Sequence, residues 1–277
     1  MRLTVLGSGT LVPDDRRRSP AHLVEDDGVR LLLDCGAGTV HGFQRHGVDW
    51  AGVTHVALSH YHTDHVGDFA AFLFALKWGV RPPREAALTV LGPPGLLRFL
   101  DALAEAFGAS VSDPGFPLEV VELPPHGSWE DPVGGLRLRT HPTRHTEASA
   151  AWRVEVRSGA VGYTGDTGPA AGLEAFFAGV DVLIAECSFP DPPPMDTHLT
   201  PRGVAEVARG ADPGLVLLTH LYPMLDAAAA PALVRAAGFA GRVATAWDGT
   251  VVEADGGEAR LVVPGPPAGA TVRDAET

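Results

Sequence analysis

The sequence predicts an α/β protein folded as one domain of two similar halves. Short apolar runs rich in Val, Leu and Ile recur along the 277 residues and alternate with Ala-rich windows of helical composition, the pattern of strand–helix units. The runs are evenly spread, with no linker, internal repeat or coiled-coil stretch between them. A length of 277 residues is enough for one or two substantial cores. The hexapeptide His60-Tyr61-His62-Thr63-Asp64-His65 directly follows one apolar run, so its polar groups stand at the end of a buried strand.

The elements follow in order. Residues 2–6 form a strand that enters the Gly7-Ser8-Gly9 turn, and the apolar piece is too short for a signal peptide. Strands are expected at 21–25, 29–34, 53–59 and 88–91, with helices at 66–78 and 95–107, where alanine is abundant. The second half repeats the pattern, with strands at 136–140, 151–156, 160–163, 182–185, 215–219 and 242–246. Its helices are expected at 201–209, with Thr200 as N-cap and Pro201 in the first turn, and at 227–237. A hairpin around Gly256-Gly257 joins 251–253 to 259–263. The domain is therefore read as 1–263, and the Pro-, Gly- and Ala-rich 264–277 as a flexible tail.

Composition sets limits on function. Twenty-one basic and 34 acidic residues give a net charge of −13, with one lysine, which is the opposite of a nucleic-acid-binding footprint. Two cysteines, Cys35 and Cys187, are too few for a disulfide framework. No apolar run reaches the length of a membrane span. A cytoplasmic protein is expected.

The hexapeptide carries the chemistry. Imidazole nitrogens and carboxylate oxygens suit a borderline divalent ion such as zinc, with manganese or iron also compatible. His60 and His62 are spaced as in extended chain, and Asp64 and His65 follow at once. One ion is not comfortably wrapped by all four groups, so the run suggests two metals. It resembles the His-x-His-x-Asp-His signature of the metallo-β-lactamase superfamily. The resemblance extends to Leu33-Asp34-Cys35-Gly36, a strand followed by a bracing aspartate, and to His145, Asp166 and His220, each after a strand and in the family's order. It covers the chain from Val5 to about Val252. It implies a four-layer αββα sandwich of the metallo-β-lactamase type, with two mixed sheets between outer helices. It also implies one ion on His60, His62 and His145, a second on Asp64, His65 and His220, and Asp166 bridging.

Glu186 after a strand, followed by a loop and His198-Leu199-Thr200 before a helix, resembles ribonuclease Z and its cyclic phosphodiesterase relatives, with Leu199 in place of a serine. The resemblance implies that His198, oriented by Glu186, helps the leaving oxygen depart, with Asp64 as the base. Arg16-Arg17-Arg18 stands where those relatives carry a loop near the phosphate, which makes Arg18 a candidate substrate-binding residue; a solvated run paired with Asp14 and Asp15 is the alternative. His141, four residues before His145, is placed to orient a ligand; His22, His41, His46, His55 and His126 read as structural or solvent-facing.

Within the superfamily, Asp166 stands where antibiotic-cleaving enzymes carry cysteine, and His62 stands where oxygen-reducing members carry glutamate, so the resemblance implies a hydrolase. Only about twenty residues separate His145 from Asp166, with no room for the tRNA-clamping arm of bacterial ribonuclease Z. The expected substrate is a small or cyclic phosphodiester rather than a large nucleic acid or a membrane, and the family allows a homodimer. Two alternatives stay open: a lactone, ester or thioester hydrolase, for which Tyr222 would matter, and a non-hydrolytic metal-binding accessory protein.

Overall fold

A computed structural model describes residues 1–263; the flexible tail expected at 264–277 lies outside the described residues. The N-terminal half supplies β1 (Arg2–Gly7), β2 (Ala21–Asp26), β3 (Val29–Leu33), β4 (His55–Ala57), β5 (Leu88–Gly92) and β6 (Leu118–Glu122). The next stretch supplies β7 (Ser128–Glu130), β8 (Leu136–Pro142), β9 (Ala150–Val156), β10 (Gly159–Tyr163), β11 (Val182–Glu186), β12 (Leu215–Thr219) and β13 (Val243–Thr245). A closing hairpin, β14 (Val251–Asp255) and β15 (Glu258–Val263), returns to the first sheet, where β14 lies antiparallel to β1. The sheets run β15-β14-β1-β2-β3-β4-β5-β6 and β13-β12-β11-β10-β9-β8-β7. Both are mixed: β3 to β6 and β10 to β13 are parallel, and the remaining pairs are antiparallel.

Successive side chains on a strand point to opposite faces, and here both faces are buried. Leu31 and Leu33 of β3 join Ile184 of β11 and Leu217 of β12 in a core between the sheets. Leu32 between them faces a second core with Phe43, Phe69 and Phe72. On the far side, Leu183 and Leu218 pack with Val204, Ala208 and Val234. Three stacked cores of this kind require four layers, so the structure is the αββα sandwich expected from the sequence. The helices that cover it are α1 (Thr39–Arg45), α2 (Thr63–Val66), α3 (Phe69–Gly79), α4 (Leu96–Phe107) and α5 (Ala109–Ser112) on the first half. On the second half they are α6 (Leu173–Phe176), α7 (Pro201–Ala211) and α8 (Ala230–Ala236). Among the described residues no helix is long and apolar enough to cross a membrane.

Several elements differ from expectation. The helix expected at 66–78 is two helices, and the first begins inside the hexapeptide at Thr63. The break falls at Gly67-Asp68, where the Asp68 carboxylate accepts the Gly38 and Val40 N–H groups at 3.0 and 2.9 Å and so caps α1 rather than α3. The strand expected at 53–59 pairs only over His55–Ala57, because Ser59 turns away to bond Asp34. The helix expected at 227–237 shortens to Ala230–Ala236, since Asp226 bonds the Ala228 N–H at 2.9 Å and holds a turn. Strands β6 and β7 and helices α1, α5 and α6 were not anticipated.

Candidate metal centre

The site lies at the carboxyl ends of the parallel strands, where loops emerge from a rigid sheet. Asp34 follows β3, the hexapeptide follows β4, Asp166 follows β10, and His220 follows β12, while Glu186 ends β11. His145 lies in the turn between β8 and β9, and His198 in the loop before α7. The fold thus brings all seven ligands expected from the sequence to one edge. His60, His62 and His145 offer ligand atoms within 4.8 Å of one another, as do Asp64, His65 and His220. Asp166 lies between these groups, with its carboxylate 3.3 Å from His65 Nε2, 3.6 Å from His145 Nε2 and 3.5 Å from His220 Nε2.

Two non-glycine residues of the site are held in the left-handed region: Asp34 at φ 57° and His220 at φ 57°. Non-glycine residues occupy this region at a cost and need support from their surroundings. The Asp34 N–H is bound by the Ala57 carbonyl, and the His220 N–H by the Ser8 carbonyl, each at 3.0 Å. The Asp34 carboxylate in turn accepts the Ser59 N–H at 2.6 Å, the Ser59 hydroxyl at 2.8 Å, His65 Nδ1 at 2.7 Å and the Tyr163 hydroxyl at 2.6 Å. Asp34 therefore braces the metal loop, and Tyr163, which sequence reasoning missed, ties that brace to the second sheet. Its signal was its place three residues before Asp166.

Most of the imidazoles are anchored at Nδ1 and present Nε2 to the centre. His145 Nδ1 bonds the Thr197 carbonyl at 3.2 Å, and His60 Nδ1 lies 3.1 Å from the Ser59 hydroxyl. The inner atoms are the ones left without partners: His60 Nε2, His65 Nε2 and Asp166 Oδ1 are buried with no hydrogen bond. Buried polar atoms without partners are costly. A cluster of them facing one point, all of the type that ligates a divalent ion, fits a metal. Burial holds His60 and His145 below the ordinary imidazole range, which keeps them neutral as ligands must be. Burial would raise Asp166, yet His220 and His65 outweigh it and hold the carboxyl well below its usual range. His62 is exposed, so the centre opens to solvent on that side.

His198 stands beside this cluster. Its Nδ1 is 3.0 Å from Glu186 Oε1, and its ring edge meets His145 with centroids 4.8 Å apart. Burial would lower its pKa, but the hydrogen bond and charge of Glu186 raise it. Glu186 is itself buried, which raises its carboxyl against the opposing pull of His198. Tyr222 is stacked on Phe189 at 4.7 Å and lies edge-on to His220 at 5.7 Å.

One expectation is corrected and one gains a structural partner. The Arg18 guanidinium pairs with Asp248 at 3.0 Å, and Asp248 also bonds the Ser8 N–H and hydroxyl. Arg18 therefore supports the turn whose carbonyl holds His220. His141 orients no ligand; its Nδ1 bonds the Pro142 carbonyl at 2.9 Å and its ring packs against His126 and Phe176.

Fold and site together define a metal-dependent hydrolase that uses divalent ions. The β-lactamase superfamily domain matches residues 29–221. A ribonuclease Z of Mycobacterium sp. (strain KMS) is 30% identical over 244 residues, covering 80% of this chain and 85% of that protein. Among solved structures, YhfI of Bacillus subtilis, a metallo-β-lactamase fold protein, superposes with a TM-score of 0.77 at 24% identity, over 90% of this chain and 98% of that one. The short form of human tRNase Z gives 0.74 at 21% identity, over 92% and 99% of the two chains. The chain belongs to the β-lactamase superfamily, in its ribonuclease Z-like branch.

Proposed function

We infer that this protein hydrolyses a small or cyclic phosphodiester at a pair of divalent ions, zinc being the ion its His-rich donor set favours. His60, His62 and His145 would hold one ion, Asp64, His65 and His220 the other, and Asp166 would contact both. Ions so held supply an activated water near neutral pH and offset phosphate charge. Asp64 accepts the proton of the attacking water. His198, bound at Nδ1 by Glu186, gives the proton of its other ring nitrogen to the leaving oxygen. The buried Glu186–His198 pair beside the ligand cluster is the observation that carries this reading.

The net charge of −13 and the short link from His145 to Asp166 favour a small substrate. The mycobacterial relatives, named ribonuclease Z, favour RNA as a second reading. Metal-quantified protein assayed on bis(p-nitrophenyl) phosphate, a 2′,3′-cyclic nucleotide, a precursor tRNA and an aryl ester separates these. Diester turnover should fall by at least about 100-fold in His198→Ala with metal content unchanged, whereas Asp166→Ala should lose metal as well. Turnover of the aryl ester alone would overturn the phosphodiesterase reading, and preferential cleavage of precursor tRNA would replace the small substrate by RNA.

A further inference from the structure

Glu186, His198 and His220 form a further cluster of buried ligand-type groups within 4.8 Å of one another. Its middle is filled by the hydroxyl of Ser188. Ser188 Oγ lies 2.5 Å from Glu186 Oε2, 3.0 Å from His220 Nδ1, 3.0 Å from the His220 carbonyl and 3.4 Å from His198 Nδ1. Ser188 and Glu186 are buried away from bulk solvent.

A hydroxyl has one proton to donate and two lone pairs to accept with. The shortest contact is to the carboxylate, and a bond to an ionised acceptor is the strongest available. Ser188 therefore donates to Glu186 Oε2. Its oxygen then faces His220 Nδ1 as an acceptor, and that nitrogen must carry the imidazole proton. The other nitrogen of His220, Nε2, points at Asp64 Oδ2 and Asp166 Oδ2, 3.4 and 3.5 Å away. Glu186 Oε1 meanwhile takes the Thr167 N–H at 2.6 Å and His198 Nδ1 at 3.0 Å. One carboxylate thus faces both histidines, His198 directly and His220 through the serine.

We propose that Ser188 is a positioning residue that relays the pull of Glu186 to His220, fixing its proton on Nδ1 and leaving the Nε2 lone pair for the ion. This rests on the assignment of His220 as a metal ligand. The ion held by Asp64, His65 and His220 then depends on Ser188, whereas the ion held by His60, His62 and His145 does not. Groups that orient a ligand imidazole in this way contribute about 10- to 100-fold in metal affinity.

Metal-free wild type, Ser188→Ala and Ser188→Thr are titrated with Zn²⁺ against a chromophoric chelator. Wild type should take up two ions. Ser188→Ala should weaken one of them about 10- to 100-fold and spare the other, and Ser188→Thr, which keeps the hydroxyl, should restore it. At saturating Zn²⁺, Ser188→Ala should regain turnover, which separates a lost orienting bond from a lost catalytic group. Unchanged affinity for both ions in Ser188→Ala would overturn the proposal. If that variant fails to fold, ¹⁵N shifts of the His220 ring in metal-free wild type at mildly alkaline pH decide the matter: a proton on Nε2 overturns the proposal and one on Nδ1 supports it. Failure of wild type to bind any ion would defeat the metal-site reading itself, while the ring shifts still report on the tautomer.

Discussion

His22 sits in β2 with both ring nitrogens buried and without hydrogen-bond partners, its ring edge against Tyr163 at 5.2 Å. Burial, with smaller contributions from His65 and His220, pushes its pKa down to about 3. The unfolded chain takes up that proton near pH 6.5, its ordinary value. Between these values the unfolded state binds one proton more than the native state, so stability falls as pH falls. The contribution is fully present above about pH 6.5 and is lost progressively below it, at about 1.4 kcal/mol per pH unit. His22→Leu removes this proton uptake. Urea unfolding of both proteins from about pH 7 to about pH 4 should show the variant gaining on wild type as the medium is acidified; parallel curves would sink the argument. The seven candidate ligands that the structure gathers at one edge stood out in the sequence because each follows a strand in a fixed order. The polar groups that brace them were less so: Tyr163 meets Asp34 across 129 residues, and Asp248 meets Arg18 across 230. Such pairings exist only once the two halves are docked.

At the scale of elements, the strand ends and the loops between them set the geometry. After β3, the Cys35 N–H bonds the His65 carbonyl at 2.8 Å and the Gly36 N–H bonds the Pro20 carbonyl at 3.1 Å. A side chain at Gly36 would collide with the Asp64 carbonyl oxygen and with the Ser19 side chain. The glycine is therefore what lets the brace loop close on the metal loop. Gly36→Ala forces backbone to move at Asp64, and overpacking of this kind costs about 1–3 kcal/mol. Lower thermal stability together with less than the wild-type metal content, measured by elemental analysis, is the expected outcome; wild-type metal content would show that the loop tolerates the shift. The central strands were legible because burial on both faces leaves near-continuous apolar runs. β6 is half exposed and β7 has three residues, so neither carries a strong pattern. The division of α2 from α3 was hidden because Asp68 serves another helix, a contact that spacing along the chain does not reveal.

For the whole molecule, the site is shared between its halves. His60, His62, Asp64 and His65 come from the loop and short helix α2 after β4 in the first sheet, and His145, Asp166 and His220 from turns of the second. Each group of three ligands therefore takes residues from both halves, since His145 completes one and His220 the other. Ions bound there favour the docked sandwich over any state in which the sheets have separated. Binding to the native state alone adds about 2.7 kcal/mol per ion at a free concentration 100 times Kd. For a chain of this size that is roughly 5–10 °C in Tm for each ion. Calorimetry of the metal-loaded protein should show one transition, displaced downward by excess chelator and restored by adding back Zn²⁺. Asp166→Ala, which removes the carboxylate between the two ligand groups, should abolish most of the response to chelator. A Tm indifferent to chelator in the wild type, with the ions shown to be removed, would mean that they add nothing to the docking of the two sheets.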